Sequence, residues 1–156
     1  MSPETLHWLV AGGSATAVAV VGGLLTELGP WYYRLRQPAW KPPDWLFAPA
    51  WTTIFVCCAV AGVIAYEAAP DDAARWRIVG LFALNALLNM AWSLLFFRIK
   101  RPDWAFAEVI AFWLSIAALL LALWPLSSTA GLLIVPYLVW VSFAAVLNLA
   151  IVRLNR

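Results

Sequence analysis

Four stretches of this chain carry no Asp, Glu, Lys or Arg, and their lengths limit the fold more than any other feature. Residues 5–26 and 45–66 span 22 positions each, 78–97 spans 20, and 109–152 spans 44. A helix needs about 20 mostly apolar residues to cross about 30 Å of hydrocarbon. Three stretches therefore fit one crossing each, and the fourth fits two. Inside the fourth, Trp124-Pro125-Leu126-Ser127-Ser128-Thr129 reads as a turn, because Pro and Ser compete with helix continuation. The expected spans are 5–26, 46–66, 77–97, 103–124 and 129–152. Lipid leaves only helices or closed barrels as spanning structures. Ile116-Ala117-Ala118-Leu119-Leu120-Leu121 is continuously apolar and lacks the period-two alternation of a barrel strand. The fold class is thus all-α: an integral membrane protein, a bundle of five transmembrane helices in one domain over residues 1–156.

Composition agrees with that class. Charged residues are 12% and hydrophobic residues 65%, against about 25% and 45–50% in soluble domains. A soluble globular domain and a disordered chain are excluded. A net charge of +2 is too small for a nucleic-acid footprint. The first apolar run lacks a basic n-region and is too long for a signal-peptide core, so it reads as a retained helix. Eight basic residues (Arg34, Arg36, Lys41, Arg98, Lys100, Arg101, Arg153 and Arg156) fall in segments on one side, and only Arg75 and Arg77 on the other. The positive-inside rule then puts the N-terminus outside and the C-terminus in the cytoplasm. With no visible transit peptide, a bacterial cytoplasmic membrane is the expected location.

One connection stands out. Leu28 to Asp44 is 17 residues long and holds four prolines, so it is not one continuous helix. Loops of this length are often functional. A helical turn over Trp31–Arg36 is expected before Pro38, and the loop is expected to lie across the helix ends as a lid. Of the 11 tryptophans, Trp8, Trp31, Trp45, Trp76, Trp104 and Trp124 fall near span ends, as in an interfacial belt, and Trp40 lies in the long loop. Trp51, Trp92, Trp113 and Trp140 sit deeper, where an indole N–H needs a partner.

Asn85, Asn89 and Trp92 share one helix face by their i, i+4, i+7 spacing. Carboxamides at membrane depth avoid lipid. That face either hydrogen-bonds to other helices or lines a ligand site, and the residues leave both open. Pro136 predicts a kink, and Trp140 follows one turn later. Glu108 lies about one turn inside the fourth span, within reach of the interface. Ala11, Ala15, Ala19 and Gly23 form a small-residue ladder that permits close helix approach, within the bundle or between protomers. Cys57 and Cys58 are adjacent and read as small packing residues, since neighbours can hardly meet disulfide geometry. His7 is the only histidine, so no metal site is expected. No nucleophile–base pair or phosphate cradle appears. What remains is an aromatic-lined apolar pocket with a few polar groups, the general form of a small-molecule site.

The string Trp31-Tyr32-x-x-Leu35-x-x-Pro38-x-Trp40-x-Pro42-Pro43-x-Trp45-x-Phe47-x-Pro49-x-Trp51-Thr52 resembles the TspO/MBR family of tryptophan-rich sensory proteins. So do Leu84-Asn85-x₃-Asn89-x-Ala91-Trp92-Ser93-x₂-Phe96-Phe97 and Val135-Pro136-Tyr137-Leu138-x-Trp140. The three motifs occur in order and the similarity covers essentially the whole chain. The resemblance implies a five-helix bundle, commonly a homodimer, that binds tetrapyrroles such as protoporphyrin IX or haem. It also implies binding of isoquinoline carboxamide and benzodiazepine drugs. By motif position, Trp51, Asn85, Asn89, Trp92, Pro136 and Trp140 line a pocket under the first loop, with Trp31 and Tyr32 in the lid. Light-dependent porphyrin degradation is reported for some members, which would make Trp51 and Trp140 the catalytic candidates, with Tyr32 a weaker third. Transport of porphyrins or other apolar ligands is a further alternative, with no inverted repeat to support it. No cofactor is obligatory in this reading; a tetrapyrrole is the ligand. Its propionates would pair with Arg34, Arg36 or Lys41, and with no His or Cys in the lining motifs no axial iron ligand is expected. The family's sterol-recognition pattern is incomplete here, because Val146–Arg153 contains no tyrosine.

Overall fold

The computed structural model describes residues 2–156. It contains helices α1 (Pro3–Leu25), α2 (Pro30–Arg34), α3 (Phe47–Ala68), α4 (Asp72–Ser93), α5 (Pro102–Leu123) and α6 (Ser128–Leu154), and no strand among the described residues. A 3₁₀ turn, Asp44–Leu46, leads into α3, and a π-helical turn, Leu94–Arg98, extends α4. All but α2 are long and apolar enough to cross a membrane. The five expected spans are present. The third starts at Asp72, five residues before the expected 77, because Asp71 caps it by accepting from Ala74 N at 2.7 Å. Its charged first turns extend the helix beyond the apolar stretch.

The long helices form a ring in the order α1, α3, α6, α5, α4, closed by α4 against α1. The tightest part is the α5–α6 side. There α5 buries Val109, Phe112, Ile116, Leu119 and Leu123, an i, i+3/i+4 stripe, against Ala130, Ile134, Tyr137 and Val141 of α6. Lipid tails are as apolar as these side chains, so close packing and hydrogen bonds hold such a seam, not water exclusion. Gly131 shows how close it is: a Cβ there would sit 2.4 Å from the Trp124 ring. By contrast α1 buries no residue.

The lid takes shape as expected. Pro30 starts the short helix α2, which ends at Arg34, short of Pro38. Its anchor is the π turn at the end of α4, where Ile99 N donates to Leu94 O at 2.9 Å. The wider turn turns both consecutive rings Phe96 and Phe97 inward, 4.8 Å apart. Tyr32 packs against Phe97 and is only 6% exposed. The turn ends at Lys100, which takes a left-handed backbone (φ 60°).

Candidate ligand site

The polar face of α4 is used between helices. Asn85 donates through Nδ2 to Ser115 Oγ of α5 at 2.9 Å, and its Oδ1 accepts from Tyr137 Oη of α6 at 2.9 Å. Asn89 Nδ2 donates to the same Tyr137 oxygen at 3.0 Å. One turn on, Trp92 Nε1 donates to Asn148 Oδ1 at 3.1 Å, and Asn148 Nδ2 donates to Pro102 O at 2.9 Å. Trp113 Nε1 finds Ser142 Oγ at 2.7 Å. Asn85, Asn89, Asn148, Trp92 and Trp113 thus bond α4, α5 and α6 together. Tyr137 is the hub, and its place next to Pro136 in the motif was the one sequence signal for it.

The expected pocket residues fall into three aromatic groups. Trp51 stacks on Phe55 (5.7 Å) and meets Tyr137 edge-on (6.1 Å). Trp31 and Trp92 both pack on Phe96, at 6.0 and 5.3 Å. Trp140 lies between Phe47 (5.5 Å) and Phe143 (5.6 Å), and Trp40 of the lid covers Phe143 (5.9 Å). Tyr137 connects Trp51, Asn85 and Asn89, and Phe96 connects Trp31 to Trp92. Pro136 is not brought to any of these groups; it is exposed on α6, and the helix runs through it from Ser128 to Leu154. Trp140 Nε1 is buried without a hydrogen-bond partner among the described residues.

The basic candidates of the lid are largely occupied or turned outward. Lys41 Nζ bonds Asp44 Oδ1 and Pro42 O, and lies 5.7 Å from the Tyr32 and Phe47 rings. Tyr32 and Tyr33 both donate to Asp44, at 3.2 and 3.3 Å. Burial pushes the Tyr32 phenol well above its usual range, and the Asp44 carboxylate adds to this. The Arg36 backbone pairs both its N–H and C=O with the Asn155 side chain, at 3.0 and 2.9 Å, which ties the lid to the end of α6. Arg34 and Arg36 side chains are exposed. Glu108 requires a correction. It does not reach the interface: both carboxylate oxygens are buried without partners among the described residues. It lies seven residues before Ser115 and so on the same stripe of α5, the stripe that faces Asn85.

A cavity of about 560 Å³ lies between α1, α3 and α4. Leu6, His7, Val10, Ser14 and Val18 of α1 line one side; Phe55, Cys58, Tyr66, Trp76 and Phe82 line much of the rest. Its inner wall contains Asn85 and Tyr137, with Trp51 directly behind Phe55 and Tyr137. It runs away from the lid toward the start of α1, where His7 Nδ1 lies 3.5 Å from Glu67 Oε1. The α1 side was missed in the sequence because its small residues read as a packing ladder. Ala11 and Ala15 instead line the cavity, and a Cβ on Gly12, Gly13, Gly22 or Gly23 would meet nothing within 4 Å. A volume of this size suits a drug-sized or macrocyclic ligand. The cysteines are free, and Cys58 faces the cavity. No group of three His, Cys, Asp or Glu side chains is placed for a metal ion among the described residues.

The bundle with its proline-rich lid and its asparagine and tryptophan motifs has direct counterparts among known sequences. The sequence model of the TspO/MBR family matches residues 10–154. The chain belongs to the TspO/MBR family. It is 37% identical to the tryptophan-rich protein TspO of Chlorobaculum tepidum, over 99% of each chain. It is 35% identical to the tryptophan-rich sensory protein of Cereibacter sphaeroides, over 96% of this chain and 90% of that one. It is also 33% identical to the translocator protein of Sus scrofa, over 96% and 92%. Membership in the TspO/MBR family and five apolar helices make the chain an integral membrane protein.

Proposed function

We propose that this protein is a membrane-embedded sensory or regulatory protein that binds a tetrapyrrole, protoporphyrin IX or haem, inside the helix bundle. One observation carries the reading: the apolar cavity of about 560 Å³, whose inner wall joins Phe55, Asn85 and Tyr137 to the motif tryptophan Trp51. A flat macrocycle presents the faces that such rings stack on. The names of the relatives, sensory in one case and translocator in another, fit a protein that acts by taking up a ligand. Isoquinoline carboxamide and benzodiazepine drugs match the same apolar, sparsely polar lining. The orientation that follows from the basic residues belongs to this reading: lid and C-terminus on the cytoplasmic side, in a bacterial cytoplasmic membrane.

The test is a protoporphyrin IX titration of the purified protein, following tryptophan quenching and the porphyrin spectrum in darkness and then in light. Saturable dark binding with a spectrum unchanged by light is the expected result. Trp51→Phe and Tyr137→Phe should each weaken it. Absence of saturable binding would remove the tetrapyrrole reading. The alternative, light-dependent degradation, draws on one specific feature: the buried indole N–H of Trp140 has no partner among the described residues. Loss of the Soret band in light, abolished by Trp51→Phe/Trp140→Phe, would make the protein an enzyme.

A further inference from the structure

We propose that the groove between the lid and the end of α6 holds one anionic phospholipid, with its phosphate at Arg153 and an acyl chain lying toward Val146. The groove has a volume of about 350 Å³ and shares no lining residue with the cavity between α1, α3 and α4. The inference is independent of the tetrapyrrole reading. Pro38 and Trp40 form the lid side, and Val146, Leu149, Ala150 and Arg153 form the α6 side. The four α6 residues follow i, i+3, i+4, i+7 spacing and make one stripe. Leu147, Asn148, Ile151 and Val152 are buried in the bundle, whereas Val146 is 58% exposed, so the stripe faces outward. Arg153 is the one charged residue lining the groove among the described residues. At the rise of an α-helix, Val146 lies about 10 Å deeper than Arg153. A charged head above an apolar track matches a glycerophospholipid, whose phosphate sits at the membrane surface with hydrocarbon below. The lid wall is fixed in place. Trp40 packs edge-on against Phe143 at 5.9 Å, and the Asn155 side chain holds the Arg36 backbone at both its N–H and its C=O.

The charges at this end select an anion. Its acids are already paired: Glu27 with Arg98, Asp44 with Lys41 and Asp103 with Arg101. None of the ion pairs among the described residues includes Arg36, Arg153 or Arg156. All three are exposed. The Arg36–Asn155 bonds bring Arg36 to the end of α6 that carries the other two. A guanidinium pairs with a phosphate through two parallel N–H···O bonds. Basic clusters at a membrane surface attract anionic lipids. A zwitterionic lipid brings its own ammonium, which the guanidiniums repel. A sterol's single hydroxyl would leave their charge unused.

Native mass spectrometry of the full chain, released from detergent, tests the site with phosphatidylglycerol and phosphatidylcholine of the same acyl chains. Wild type should retain one phosphatidylglycerol, bound about tenfold more tightly than phosphatidylcholine, the scale of a hydrogen bond to a charged group. Arg153→Gln should erase that preference. Lys100→Gln should keep it, because Lys100 is an exposed cation at the same end and outside the groove. Val146→Trp fills the inner end and should weaken both lipids. Glycerol 3-phosphate, a head without chains, should not displace the lipid. Thermal midpoints of all variants establish that they fold. Equal retention of the two lipids by wild type would overturn the proposal. So would equal losses in Arg153→Gln and Lys100→Gln, which would mean diffuse surface charge. Unchanged binding in Val146→Trp, or displacement by glycerol 3-phosphate, would overturn it by removing the groove from the site.

Discussion

Tyr137 carries more of the bundle than any other single side chain, because its hydroxyl both donates to Asn85 and accepts from Asn89. Removing that oxygen leaves the two carboxamides of Asn85 and Asn89 each short of a partner. Tyr137→Phe is expected to destabilise the protein by about 1–2 kcal/mol, read as a fall in the unfolding midpoint in detergent. Two glycines give opposite expectations. Gly131→Ala forces the new Cβ against Trp124 and its backbone, and should cost about 1–3 kcal/mol. Gly12→Ala meets open space inside a helix and should be neutral or stabilising by up to about 1 kcal/mol. Equal unfolding midpoints for the two variants would mean that the α5–α6 turn relaxes around the added methyl group.

At the level of elements, the lid is held by two separate fastenings. One is internal, the Tyr32–Asp44–Lys41 group; the other is the Asn155 side chain on the Arg36 backbone. Asn155→Ala should therefore speed amide exchange over residues 35–41 and leave exchange in α5 and α6 unchanged. Protection that stays the same would show that the aromatic contacts alone keep the lid down. The internal fastening has a pH limit. Tyr32 titrates higher in the folded protein than in an unfolded chain, so its stabilising contribution is full below about pH 10. It is lost as pH rises through the raised folded value. In an alkaline titration the late part of the phenolate absorbance should shrink by one tyrosine in Tyr32→Phe, and that part should rise together with lid opening in the parent protein.

Across the whole molecule, the eight basic residues counted from the sequence are gathered at one end. The Arg98–Glu27 pair joins the α4–α5 turn to the end of α1, and Asn155 joins the lid to the C-terminus. The His7–Glu67 contact places the N-terminus with the α3–α4 turn at the opposite end. The charge asymmetry is therefore one of two faces. A cysteine placed at Lys100 should be shielded from an impermeant thiol reagent added outside cells, and one placed at Asp71 should be labelled. The reverse pattern would invert the orientation. The cavity lies toward the His7–Glu67 end, away from the lid.

The sequence by itself determined the number of spans, the lid and which α4 residues share a face. Each of these is set locally: by the length of uncharged runs, by prolines that forbid helix, and by the 3.6-residue period. It also carried the family, because the lid, asparagine and proline–tryptophan motifs are short strings that survive without knowledge of neighbours. Partners across helices were decided only in the tertiary structure. Asn85 and Asn89 were equally suited to a ligand or to a neighbouring helix until Ser115 and Tyr137 were seen opposite them. Glu108 looked able to reach the interface, and the rotation of α5 turned it inward. The small residues of α1 read as a packing ladder, and only the tertiary structure showed that Ala11 and Ala15 also line a cavity between α1, α3 and α4. Helix rotation and spacing arise from the sum of many weak contacts spread over five elements, and no single segment encodes them.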